Sequence, residues 1–140
     1  MKLLEENDGW RLVFRSGIAQ LLKIDFRLGL LITDGAETVD LYVETPFRLV
    51  GPNVDTCCVP EESESLAPVL ALVNKVISEV TIENSGRMMV VFESGLSLIV
   101  DPDAHYEAWQ VGGSTGFLLV CRPEKGVTFF KQDLPPGGIE

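Results

Sequence analysis

The chain has 140 residues, 46% of them apolar, and carries a net charge of −10 from 21 acidic and 11 basic residues. That length suits one domain with a sizeable core, and the apolar content excludes a disordered chain. The charge argues against nucleic acid, whose phosphates need clustered Lys and Arg, and against an anionic membrane surface.

The N-terminus, M-K-L-L-E-E-N-D, starts like a secretory signal but turns acidic too soon to supply its apolar centre, so a cytoplasmic protein is expected. The longest apolar runs, 28–32 and 88–92, are far short of the roughly 20 residues that span a bilayer. Residues 9–14, G-W-R-L-V-F, read as a first strand, and Ser16-Gly17 as a turn. From Ile18 a long alternating run places Leu22, Ile24, Phe26, Leu28, Leu30 and Ile32 on one face and Lys23, Asp25 and Arg27 on the other. Alternation of this kind predicts a half-buried strand, with a bend or bulge near Gly29. Asp34-Gly35 is a hairpin pair, followed by strands over 38–44 and 47–50 on either side of Pro46.

Residues 51–65 read as a loop leading into a helix. Leu66, Val69, Leu70 and Val73 have helical spacing, and Pro68 is tolerated only in a first turn, so the helix is expected over 65–72. Strands resume at Val76. Asn84-Ser85-Gly86 and Ser94-Gly95 are turns, and 88–92, 96–100, 106–111, 117–121 and 126–130 are strands. A tail over 133–140, D-L-P-P-G-G-I-E, is expected to be disordered, leaving a single domain over 1–132.

The two halves can be aligned. Asp34-Gly35 matches Ser94-Gly95, Val43-Glu44 matches Val100-Asp101, and Phe47-Arg48-Leu49 matches Trp109-Gln110-Val111. The fold class expected is mainly β, bordering on α+β: two antiparallel β-meander halves, read as a pseudo-repeat, linked by one short helix near 65–72.

Motifs for chemistry are absent. The chain has no G-x-G-x-x-G, C-x-x-C or H-E-x-x-H, and residues 112–116, G-G-S-T-G, read as a flexible turn between strands, so no catalytic residue, metal set or cofactor is assigned and a non-enzyme is expected. Cys57, Cys58 and Cys121 are odd in number and lack a secretory signal, which favours free thiols. The one cluster with a binding character is the acidic bend 101–107. There Asp101, Asp103, His105 and Glu107 recur at alternate positions beside Tyr106. Such a set suits a basic partner, or a divalent cation if the stretch is extended. Trp109 is expected in the core.

Leu70-Ala71-Leu72-Val73, then Gly86, Val90, Phe92, Gly95, Leu98, Val100 and Pro102, then Tyr106-Glu107-Ala108-Trp109 form one pattern. In this pattern the chain resembles a bacterial family of small uncharacterised proteins, well over 66–121 and loosely before it. The resemblance implies no activity and carries no functional residue. The expected function is therefore a non-enzymatic, acidic binding protein, of an immunity type that masks a basic partner by charge complementarity. The alternative is a small-molecule or divalent-metal-binding domain using the 101–107 bend. A homodimer through a sheet edge is compatible with either.

Overall fold

A computed structural model describes residues 1–131; the expected tail lies outside them. The strands are β1 (Lys2–Glu6), β2 (Gly9–Asp25), β3 (Arg27–Asp34), β4 (Glu37–Val43), β5 (Phe47–Gly51), β6 (Val54–Cys58), β7 (Val76–Glu83), β8 (Met88–Phe92), β9 (Ser97–Val100), β10 (Trp109–Gly113), β11 (Phe117–Arg122) and β12 (Gly126–Lys131). One 3₁₀ helix, Ser63–Leu72, separates β6 from β7. The protein is mainly β, as its alternating sequence requires.

All the strands pair antiparallel in one open sheet of order β12-β11-β10-β4-β3-β2-β7-β8-β9-β5-β6, with β1 on the N-terminal part of β2. The halves are thus not two separate meanders. Each sends its later strands across to the other, so that β5 pairs with β9 and β10 pairs with β4. The sheet curls until its β12 end returns over its middle, where Trp10 of β2 stacks on Phe129 of β12 with ring centroids 6.4 Å apart. One face encloses a single core that includes Leu30, Leu41, Phe47, Val90, Phe92, Leu98, Val100 and Trp109.

The pairing is symmetric about the β2–β7 contact, where Ile18 lies opposite Val76. Leu28 pairs with Val43 as Met88 pairs with Val100. Leu41 faces Val111 as Leu98 faces Leu49. A register shift between Ala19 and Leu21 against β3 recurs between Ile77 and Glu79 against β8. Gly51 faces Val54 as Gly113 faces Phe117. The symmetry stops at the N-terminal part of β2, whose counterpart is the 3₁₀ helix.

Four expectations are corrected. First, Ser16-Gly17 is not a chain reversal but part of a register irregularity within β2, and the reversal comes at Phe26, with no bend at Gly29. Phe26 takes a φ of 55°, a left-handed conformation uncommon in residues other than glycine, and it is 87% exposed rather than in the core. Gly29 instead leaves room for a ring, since a Cβ there would sit 2.9 Å from Tyr42. Second, the expected loop contains β6, and the N-terminus contains β1. Third, the helix begins at Ser63 and is 3₁₀. Leu66, Val69 and Leu72 are its buried residues, a spacing of three that suits three residues per turn, while Leu70 is 60% exposed. Fourth, the strand expected from Tyr106 starts at Trp109 and runs through Gly112 and Gly113.

Asp34 closes the irregular stretch of β2. Its side chain is 4% exposed, accepts the Arg15 and Ser16 N–H groups at 3.1 and 2.9 Å, and lies 3.0 Å from the Met1 amine. Burial alone raises its pKa, but the Ser16 and Arg15 N–H groups and the amine outweigh burial and hold it below the ordinary value. A lowered folded-state pKa adds stability at a pH above the unfolded pKa and loses it as pH falls through the folded one. Asp34→Ala should therefore cost about 1–3 kcal/mol near neutral pH by leaving two N–H groups without their acceptor. In urea unfolding, the gap between wild type and variant should narrow at acid pH, below the ordinary carboxylate range.

Candidate functional site

The 101–107 bend follows β9, and its residues go to different tasks. Asp101 pairs with Arg87 through two contacts, 2.7 and 3.2 Å. Hydrogen bonding to Asp101 is the main cause that raises the Arg87 pKa. One Asp103 oxygen accepts the N–H groups of His105 at 2.8 Å and Tyr106 at 3.1 Å, which fixes a tight turn. His105 and Glu107 are exposed, and the His105 ring meets Tyr106 edge-on with centroids 6.5 Å apart. The alternate carboxylates therefore do not project together as they would from a straight strand. Among the described residues no three His, Cys, Asp or Glu side chains gather as a metal would need.

Trp109 anchors the end of the bend. It is fully buried, and its Nε1 donates to the Gly86 carbonyl at 2.8 Å. Next to it, the Ala108 carbonyl accepts the Glu44 N–H at 2.9 Å, so the bend lies against the end of β4. This contact brings Tyr106 to residues from the first half. Phe26, Glu44, Glu61 and Tyr106 line an open concavity of about 560 Å³. Phe26 and Tyr106 are 87% and 68% exposed, and both carboxylates face solvent. Thr45, beside Glu44, is buried with no partner for its hydroxyl among the described residues.

Of the residues picked out by the sequence, only Tyr106 enters this concavity. Phe26, Glu44 and Glu61 were not picked out. The D-F-R tripeptide at the tip of β2 and β3 carried the one local signal, an aromatic between opposite charges. Nothing local places Glu44 beside Tyr106, because that depends on β10 pairing with β4.

Cys58 and Cys121 are buried thiols, and burial is the main cause raising the pKa of each. Raised pKa values keep thiols protonated and poorly nucleophilic. No helix among the described residues is long and apolar enough to cross a membrane.

The model of a family of unknown function, DUF6188, matches residues 10–131, and the chain belongs to that family. The match agrees with the resemblance to an uncharacterised family and assigns no activity. No match to the chain is found among curated proteins or among solved structures.

Asp103→Ala should release the His105 and Tyr106 amides without touching the core. Hydrogen exchange should accelerate at those two amides, while the global unfolding free energy changes by less than about 1 kcal/mol.

Proposed function

We propose that this protein is a non-enzymatic, acidic binding protein that engages a basic protein partner through the Phe26–Tyr106 face. The observation that carries the reading is the pairing of two strongly exposed aromatic rings with the Glu44 and Glu61 carboxylates in one concavity. Rings of this size supply anchoring contact area, and carboxylates at their rim select a cationic surface. The net charge of −10 adds long-range steering of a basic partner and repels acidic competitors. Masking of such a partner, an immunity-type role, is the biological form the reading takes.

Three further parts of the reading have separate support. A cytoplasmic location is in keeping with three free cysteines. A homodimer would form by pairing at β6 or β12, the unpaired ends of the sheet. Descent of the two halves from a duplication is supported by their shared register, including the irregularity at the same place in β2 and β7.

The test is affinity capture from the protein's own cells at low salt, followed by reconstitution with each captured protein. A direct partner with net positive charge is expected, and its Kd should rise with salt as screening shortens to about 8 Å at physiological ionic strength. Combining Phe26→Asn with Tyr106→Ala should weaken binding about 30-fold, the scale of losing a central aromatic anchor. Capture of no basic partner, or a Kd insensitive to both salt and the double substitution, contradicts the reading.

A further inference from the structure

We infer that the concavity of Phe26, Glu44, Glu61 and Tyr106 takes the guanidinium of an arginine presented by the partner. This rests on the binding role above and specifies its chemistry. The ground is the counterpart of this site in the other half of the chain.

The shared register makes Arg27 equivalent to Arg87 and Glu44 equivalent to Asp101, since Leu28 corresponds to Met88 and Val43 to Val100. Glu61 follows Cys58 as Glu124 follows Cys121, in strands of matching register. The counterpart surface is lined by Asn84, Ser85, Asp103, Arg122 and Glu124 among others. Asp101 does not line that surface, because its carboxylate is already satisfied: it holds the Arg87 guanidinium at 2.7 and 3.2 Å.

The first half breaks this pairing. The position equivalent to Ile99 is Tyr42, and the position equivalent to Met89 is Gly29, whose missing side chain gives the Tyr42 ring room. Arg27 lies over that ring, its Cζ 4.1 Å from the centroid, with Asp25 at 3.5 Å. Glu44 is left with no cation among the described residues. At the reversal, where the other half has Asn84 and Ser85, the first half presents Phe26, and Tyr106 reaches the same concavity from across the sheet. A carboxylate whose equivalent binds a guanidinium has thus lost its own and gained two aromatic rings. Guanidinium is the cation this set fits best. It is planar, stacks on rings, and hydrogen-bonds a carboxylate through two N–H groups, whereas an ammonium is a compact point charge.

The probe is N-acetyl-arginine amide titrated into the full chain, followed by amide chemical shifts. The citrulline and lysine analogues serve as a neutral isostere and an alternative cation. Saturable shifts centred on residues 26, 44 and 106 are expected, with citrulline at least about tenfold weaker and lysine weaker than arginine. Glu44→Gln and Phe26→Asn should each weaken the arginine response several-fold. Neither change disturbs the core, and Asn tolerates the left-handed φ of position 26. Equal responses to arginine and citrulline, a lysine response as strong, shifts centred elsewhere, or no saturable shift would overturn the inference. A basic partner whose binding survives both Glu44→Gln and excess arginine probe also overturns it while the binding role stands. Intact probe binding with no basic partner overturns the role and leaves the site.

Discussion

The pairing of β10 with β4, with Val111 opposite Leu41, holds the two halves of this chain together. Its counterpart is the pairing of β5 with β9, with Leu49 opposite Leu98. All four of these side chains are buried. Each half sends its later strands to the other half's sheet edge, so neither half completes its own sheet. Burial of a Leu-sized side chain contributes about 1.5–3 kcal/mol, and shifting either pairing by one residue would turn these side chains to the opposite face. The exchange therefore fixes register as well as adjacency, and it draws the halves into one core.

The candidate site is a consequence of that exchange. Tyr106 belongs to the connection between β9 and β10, and it reaches Glu44 because β10 docks on β4. The Ala108 carbonyl and the Glu44 N–H complete the contact. The symmetric position shows what the same backbone does with other side chains. There Arg87 and Asp101 satisfy each other, and Trp109 is drawn inward by its bond to Gly86. Two nearly equivalent frames thus carry a closed ion pair on one side and an open aromatic and acidic surface on the other. The difference traces to a few residues: Gly29 and Tyr42, which hold Arg27, and Phe26, which stands where the other half has a small polar turn.

Much of the sheet was legible because alternation reports a half-buried strand directly. β4, β7, β8 and β9 follow from their alternating apolar residues and from the glycine turns beside them. Phe26 was misread because the alternation of Ile24, Phe26 and Leu28 runs straight through the reversal, and phenylalanine is not a usual left-handed turn residue. β6 was misread because Asp55, Thr56 and two cysteines look like loop composition, although Val54, Thr56 and Cys58 alternate inward. The helix was placed but given the wrong period: Leu70 fits 3.6 residues per turn, whereas the burial of Leu66, Val69 and Leu72 fits three. Of the site, Tyr106 was visible as an aromatic in an acidic bend. Glu44 and Glu61 were not, since their proximity is created by long-range pairing that leaves no local trace.

The exchange of strands is open to direct measurement by long-range NOEs across the sheet. Contacts should link β4 to β10 around Leu41 and Val111, and β9 to β5 around Leu98 and Leu49. Contacts that instead join β4 to β5 and β9 to β10, closing each half on itself, would contradict the account and remove Tyr106 from the side of Glu44.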